Sequence, residues 1–210
     1  MNFVVLSSSR GTTFQAIIDA LKNTSLEARC LGLISDRDDR GCVTKAKAAG
    51  LPVRIVTKKK NEDREDYDRR LHEAILELVP KSYKLPVRPR PGGQATSSTV
   101  IAGIGWLYML SPWFVSTWKN RILNVHPSLL PKHPGLHAHE EVIQAGERES
   151  GMTIHVIDEG LDTGPILVQK KCTVSQTDTP ETLKAKVQEL EKEWYPRVLQ
   201  MLHTGEMKLP

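Results

Sequence analysis

The first 56 residues alternate short apolar runs with stretches of helical periodicity, and this alternation limits the folds that are open to the chain. Phe3 to Leu6 is a compact apolar run, and the apolar residues of Phe14 to Leu21 recur at helical spacing. Further apolar runs cover Cys30 to Ile34 and Val53 to Val56, with a helix predicted from Gly41 to Ala49 between them. This β-α-β-α-β pattern predicts a parallel sheet with right-handed crossovers.

The rest of the chain extends the α/β pattern, within what we expect to be a single domain of residues 1–210. Predicted helices cover Asp63 to Val79, Pro112 to Trp118, His139 to Ala145 and Pro180 to about Leu202. Predicted strands cover Val100 to Ile104, Ile122 to Val125, Met152 to Ile157 and Ile166 to Val168.

One stretch interrupts the pattern: residues 80–99 are rich in proline, glycine and basic residues. Because a structureless loop of this length is uncommon inside a compact domain, we interpret it as a basic surface insertion loop. An alternative is an RNA-binding module, but few aromatic residues interleave the charges of Lys81 to Arg90.

Composition narrows the class of partner. The net charge of +4 and the pI of about 8.9 suit an anionic small substrate and do not indicate nucleic acid without a concentrated basic patch. Cys30, Cys42 and Cys172 are widely spaced, which argues against a disulfide framework or a thiolate zinc site and for a reducing compartment. The chain shows no secretion signal and no apolar run of roughly 18 residues, so we expect a cytoplasmic protein with no membrane partner.

The decamer Ile122 to Pro131 contains the first candidate chemistry. Its apolar run carries Asn124 and ends on His126, and Pro127 then stops the strand because proline lacks a backbone donor. Ligands of open α/β sheets bind at the carboxyl ends of strands. An amide donor two residues from an imidazole is suited to polarising an oxygen while a proton moves. The alternative is a strand end with two satisfied polar residues.

Two loops offer further groups. Ser7 to Thr13 joins a predicted strand to a helix, where free backbone N–H groups, hydroxyls and Arg10 favour an anion; the alternative is a plain N-cap. This loop has neither a Walker A ending nor G-x-G-x-x-G. The acidic turn Asp158 to Pro165 is bracketed by glycines and could present Asp162, or it could be a solvated surface turn.

Three histidines, His133, His137 and His139, raise the question of a metal site. His133 and His137 have helical spacing, but Pro134 and Gly135 between them break any helix. Because no cysteine near these histidines and no H-E-x-x-H motif supports a metal site, we expect no metal.

Two signatures resemble the formyltransferase family that uses 10-formyltetrahydrofolate. Asn124 to Pro131 looks like the family's N-[IV]-H-P-S-L-L-P, and Gly151 to Pro165 looks like its second signature. The resemblance spans nearly the whole chain except Pro80 to Thr99. It implies the formyltransferase fold, an open Rossmann-like, mostly parallel twisted sheet with helices on both faces.

The resemblance also implies catalytic roles. Asn124 and His126 would stabilise the oxyanion of the formyl group, and Asp162 would raise the basicity of His126 or move a proton through water. His155 would support the loop of Asp162. The folate would contact Arg64, Leu107, Tyr108, Met109, Leu110, Asn124, Asp158, Glu159, Gly160, Leu161 and Asp162.

On the acceptor side, the resemblance implies a phosphorylated small-molecule amine, 5-phosphoribosylglycinamide. Its phosphate would bind Gly11, Thr12 and Thr13, and its glycinamide end would meet Glu191 and Gln188. The first loop departs from the family's S-G-x-G-S-N, because here it reads S-S-R-G-T-T from Ser8 to Thr13. The alternatives are therefore a formyltetrahydrofolate deformylase, a transferase for another small amine, or a non-catalytic folate- or nucleotide-binding relative. The sequence is compatible with a homodimer.

Overall fold

A computed structural model describes residues 1–80 and 99–210, and these residues form one layered α/β structure. The strands are β1 (Asn2–Leu6), β2 (Arg29–Ser35), β3 (Val53–Ile55), β4 (Thr99–Gly103), β5 (Ile122–His126), β6 (Glu149–Val156) and β7 (Ile166–Thr173). The helices are α1 (Thr12–Lys22), α2 (Gly41–Ala48), α3 (Arg64–Leu78), α4 (Pro112–Thr117), α5 (Ala138–Gln144) and α6 (Pro180–Thr204).

The described strands form one sheet in the order β3-β2-β1-β4-β5-β6-β7. The first five strands are mutually parallel, whereas β6 runs antiparallel to β5 and to β7. The predicted mostly parallel α/β sheet is thus confirmed. The order reverses between β1 and β4, which is where open α/β sheets bind their ligands.

Helices cover both faces of the sheet, as expected for this fold. On one face the apolar stripes of α1 and α6 pack on the sheet through Phe14, Ile17, Val187 and Leu199. On the other face α3 and α4 contribute the second core cluster, with Tyr67, Leu71, Ile75, Phe114 and Trp118. The i, i+4 spacing of Tyr67, Leu71 and Ile75 explains why α3 forms and which side it buries.

The predicted elements are confirmed, with shifts at their ends. The largest shift is at the end of β7, which was predicted to stop at Val168 but continues to Thr173. Exposed and partly buried residues alternate along this added part, as expected for an edge strand. Helix α6 begins after Thr179, whose hydroxyl accepts from the Thr182 N–H in a capping box, and ends at Gly205 with φ 82°. The predicted insertion loop lies, but for its two end residues, outside the described residues. Within 1–80 and 99–210, none of the helices is long and apolar enough to cross a membrane.

The buried Tyr195 hydroxyl ties α6 to the sheet, because it donates to the Gly103 carbonyl at 3.1 Å. We expect Tyr195→Phe to lower the free energy of unfolding by about 1 kcal/mol, since it removes the hydrogen bond and leaves the acceptor buried. Urea unfolding measures the change. The exposed substitution Thr177→Ala should stay within about 0.5 kcal/mol of the parent protein, and equal midpoints for all three proteins would contradict the assigned bond.

Candidate functional site

A cavity of about 520 Å³ opens where the order of the sheet reverses. Leu6, Gly103 and His126, the last residues of β1, β4 and β5, line it together with Asn124 and Ile122 farther down β5. Val125 and His155 of the strands line it as well. The remaining lining residues come from three loops: Gly105, Trp106, Leu107, Tyr108, Met109, Leu110, Pro127, Gly135, Leu136, His137, Ile157, Asp158, Glu159, Gly160, Leu161 and Asp162. The cavity therefore combines an apolar wall with a polar floor.

Strand register brings three polar side chains to the same face of the sheet. Residues two apart on a strand point the same way, so Asn124 and His126 share a face. His155 of β6 is the antiparallel partner of Asn124, so its side chain stands beside that of Asn124. The Asn124 Nδ2 group lies 3.3 Å from His155 Nε2.

The His155 ring has polar neighbours at both nitrogens. Its Nδ1 lies 3.1 Å from the Val156 carbonyl, which can only accept, so Nδ1 carries the proton. The other ring nitrogen, Nε2, lies between the Asn124 amide at 3.3 Å and Asp162 Oδ1 at 3.5 Å. This contact fixes the orientation of Asn124, whose second N–H remains for the cavity.

The His126 ring is buried between two oxygen acceptors. Nε2–H donates to the His133 carbonyl at 2.7 Å, and Nδ1 lies 3.2 Å from Asp162 Oδ2. Burial lowers the pKa of His126, although the Asp162 charge and the His133 carbonyl oppose this shift. The imidazole is therefore neutral at pH 7, with Nδ1 as its free base.

Asp162 comes from the loop after β6, which folds back over the sheet. Its Oδ2 accepts from the Gly135 N–H at 2.9 Å, and its Oδ1 lies 3.5 Å from His155 Nε2. Burial opposes ionisation of this carboxyl, but His155, the Gly135 amide and His126 outweigh it and hold the pKa of Asp162 below its usual range. Asp162 is therefore a carboxylate at neutral pH.

Local chemistry of the acidic loop explains how Asp162 is presented. The Asp158 carboxylate accepts from the Gly160 N–H at 3.0 Å and from the Thr163 hydroxyl at 2.7 Å, which closes the turn. Asp162 has φ 54°, in the left-handed region that Asp tolerates better than most residues. At Gly164 a Cβ would lie 1.8 Å from the Val156 carbonyl oxygen, so only glycine allows this approach.

The arrangement can stabilise negative charge on an oxygen and accept a proton in the same place. An oriented amide N–H and an imidazole stand beside a carboxylate, inside a site that is largely screened from water. Among residues 1–80 and 99–210, no group of three or more His, Cys, Asp or Glu side chains is arranged to hold a metal ion. Of the three histidines considered for a metal, His133 instead lies near Glu141 and Glu147.

The segments predicted to contact folate lie at this cavity, with one exception. Residues 107–110 and 158–162 line it, and Leu107, Met109 and Leu161 each expose about half of their surface there. The described lining does not include Arg64, which is exposed in the first turn of α3. One turn later, the Tyr67 ring packs 5.4 Å from that of Tyr108, so the helix abuts the cavity wall.

The predicted acceptor residues form a second group beside the cavity. Gly11 caps α1 with φ 75°, and within the described residues no side chain caps this helix and no acid lies in its first turn. The Thr13 hydroxyl donates to Glu191 Oε2 at 2.7 Å, which joins the loop to α6, where Gln188 lies one turn earlier. This group adjoins the cavity because the Ser8 N–H donates to the carbonyl of Gly105, a lining residue, at 3.1 Å.

Sequence reasoning missed the contributions of the loop after β5. Gly135 donates to Asp162 and the His133 carbonyl accepts from His126, while Leu136 and His137 line the cavity. The Pro/Gly-rich composition of this loop was the available signal, but backbone contacts leave no signature in residue type.

The ligand cavity lies where the strand order of a mostly parallel sheet reverses, and it contains a buried imidazole–carboxylate pair. This arrangement is typical of an α/β enzyme. Comparison with known families identifies the class of enzyme. Residues 1–85 and 92–199 match the family model described as "Formyl transferase", and the chain belongs to the formyl transferase family. It is a formyltransferase, as its two signatures indicated.

Named relatives and a solved structure agree with this assignment. The chain is 34% identical over 209 residues to the phosphoribosylglycinamide formyltransferase of Escherichia coli, covering all of this chain and 90% of that protein. It is also 34% identical to the trifunctional purine biosynthetic protein adenosine-3 of Drosophila melanogaster, across 96% of this chain but only 14% of that longer protein. The crystal structure of glycinamide ribonucleotide transformylase 1 from Symbiobacterium toebii matches with a TM-score of 0.86 and 28% identity, covering 100% of this chain and 91% of that one.

The geometry predicts how His126 responds when its neighbour loses charge. Because the Asp162 carboxylate raises the pKa of His126 against the effect of burial, Asp162→Asn should lower that pKa further. An NMR titration of the His126 ring proton measures it. Glu159→Gln, which removes an exposed acid from the same loop, is the matched control and should leave the pKa of His126 unchanged. An unchanged or higher pKa in Asp162→Asn would show that the pair is not coupled as described.

Proposed function

We propose that this formyltransferase moves a formyl group from 10-formyltetrahydrofolate to the amino group of 5-phosphoribosylglycinamide, a step of purine synthesis. The observation that carries the proposal is the convergence of Asn124, His126 and Asp162 at one cavity. The names of the E. coli and S. toebii relatives support the choice of acceptor.

The proposed chemistry is a direct attack by the amine. 10-Formyltetrahydrofolate supplies the formyl group, whose oxygen faces Asn124 and His126. As the amine nitrogen bonds to the formyl carbon, the second N–H of Asn124 stabilises the charge that gathers on this oxygen. The stabilisation is largest where the charge is greatest, so it lowers the barrier rather than merely binding the substrate.

His126 and Asp162 handle the proton in this scheme. The neutral imidazole has its lone pair on Nδ1, 3.2 Å from Asp162, so a proton that leaves the amine is shared between these two groups. His126 then carries a positive charge beside the reacting oxygen, and the Asp162 carboxylate stabilises it. The proton finally goes to the folate nitrogen from which the formyl group departs.

The cavity suits the folate part of the donor. Residues 107–110 and 158–162 line the cavity, and their main-chain donors and acceptors can bind a heterocyclic ring. The exposed side chains of Leu107, Met109, Leu136 and Leu161 border the opening and offer apolar contact to an aromatic ring outside. Arg64 lies farther along α3, where a cation suits a carboxylate tail.

The acceptor side suits a phosphorylated amine. The uncapped start of α1 offers backbone N–H groups and the positive end of a helix dipole to a phosphate at Gly11, Thr12 and Thr13. Glu191, near the same loop, offers a carboxylate to an amine or amide N–H. A transferase for another small amine is the second candidate, because the loop departs from the family pattern and Thr13 already occupies one oxygen of Glu191.

The reaction is tested by its dependence on the acceptor. Purified protein should consume 10-formyltetrahydrofolate only when 5-phosphoribosylglycinamide is present, as followed by the absorbance of the folate product. His126→Ala and Asp162→Asn should each reduce kcat by about 100-fold or more while circular dichroism stays native. Equal consumption with water alone would indicate a deformylase, and near-normal turnover in both variants would refute the assigned centre.

Glu191 gives a separate test of the acceptor site. Burial raises the pKa of Glu191 to about 7, so its carboxylate is lost as the pH falls through neutrality. We expect the KM for the amine substrate to rise below pH 7 in the parent enzyme. In Glu191→Gln the KM should be high at every pH, with a flatter profile between pH 6 and about 8. A parent-like profile in the variant would remove Glu191 from the acceptor site.

A further inference from the structure

The short segment of residues 132–135 contacts both members of the buried His126–Asp162 pair. The His133 carbonyl accepts from His126 Nε2–H at 2.7 Å, and the Gly135 N–H donates to Asp162 Oδ2 at 2.9 Å. One contact fixes which ring nitrogen of His126 carries a proton, and the other fixes a carboxylate oxygen. Displacement of this segment would therefore disturb both groups at once.

The backbone of this segment does not hold its shape by intrinsic preference. His133 has φ 53°, a left-handed conformation that is unfavourable for a residue with a Cβ. Gly135 follows with φ 91°, which only glycine adopts easily. Unfavourable backbone conformations of this kind persist only when surrounding contacts hold them.

The His133 side chain supplies such contacts. Its Nδ1 lies 3.4 Å from Glu141 Oε2 on α5, and its Nε2 lies 3.7 Å from Glu147 Oε1 just beyond that helix. Lys132 Nζ reaches the same Glu147 oxygen at 2.8 Å. The imidazole is largely buried, with 17% of the side chain exposed, and it packs against α5 with a carboxylate near each ring nitrogen, although Nε2 forms no hydrogen bond among the described residues.

Resting on the function proposed above, we propose that His133 is a positioning residue for formyl transfer. Its side chain, held between Glu141 and Glu147, keeps its own carbonyl on His126 Nε2. The carbonyl keeps the proton on Nε2 and leaves Nδ1 facing Asp162, which is the form of the ring that proton transfer requires.

The electrostatic surroundings of His126 allow this effect to be measured. The charged and titratable groups that act on the His126 ring are Asp162, His155, Glu141 and His139. A carbonyl that accepts from Nε2–H favours the protonated ring, so losing it should lower the pKa of His126. A purely structural role for His133 would leave this pKa in place.

The first test is His133→Asn, because Asn tolerates the left-handed backbone but cannot reach both glutamates. We expect kcat to fall about tenfold with KM for both substrates nearly unchanged, since the defect is in alignment. The kcat limb assigned to His126 should move to lower pH. In ligand-free protein, long-range ¹H–¹⁵N spectra should show His126 losing its single Nε2–H tautomer.

A second variant keeps the proposal testable if His133→Asn does not fold. Glu147→Gln removes the charge that faces His133 Nε2 and Lys132. It should lower kcat, shift the pH profile and disturb the His126 tautomer in the same direction as His133→Asn, but by less. The matched control is Glu149→Gln, two residues beyond Glu147, which breaks an exposed ion pair with Lys171 and should behave as the parent protein.

The possible outcomes separate this proposal from the proposed function. A parent His126 tautomer and parent pH profile in folded His133→Asn and Glu147→Gln would overturn the positioning role, whatever the rate. Absence of formyl transfer in the parent enzyme would overturn the function instead, while the tautomer spectra would still report on His133.

Discussion

The contact between His126 and Asp162 is the constraint around which the site is organised. Both groups are largely removed from water, where an uncompensated charge is costly. Neighbouring polar groups compensate for this burial. The Gly135 amide donates to the Asp162 carboxylate, the His133 carbonyl accepts from the His126 imidazole, and His155 lies between Asp162 and Asn124. A cavity that is open enough for substrates therefore has a floor whose polar groups are already oriented before binding.

The change from parallel to antiparallel pairing at β5 is what places these groups together. Because β6 runs antiparallel to β5, His155 stands directly opposite Asn124, and the following loop folds back over the same face to deliver Asp162. Strand β6 ends beside Leu123, near the start of β5, so the loop that follows must run back along this face to bring Asp162 to His126. The geometry of the site thus depends on a local exception in the sheet.

The sequence predicted what residue type and spacing can encode. The apolar runs located the strands, Pro127 ended β5 at His126, and the glycines around Asp162 indicated a loop that presents it. The pairing of Asn124 with His155 depends on strand register, which a single sequence does not state. The contacts made by the backbone of His133 and Gly135 were equally invisible, because every residue carries those groups.

In the proposed reaction, donor and acceptor approach from opposite faces of the sheet and must meet at one point. The cavity lies on the α3–α4 face, whereas Thr13 and Glu191 belong to the α1–α6 face. The two regions meet at Gly103 and Gly105, which both line the cavity. The Tyr195 hydroxyl of α6 donates a hydrogen bond to the Gly103 carbonyl, and the Ser8 N–H donates one to the Gly105 carbonyl. At Gly103 a Cβ would lie 2.7 Å from the Leu123 carbonyl, and at Gly105 it would lie 2.9 Å from the Ser9 side chain. Glycine at both positions therefore lets the end of β4 pack directly on Leu123 and Ser9, and this close packing holds the loop of the proposed acceptor site against the cavity of the proposed donor site.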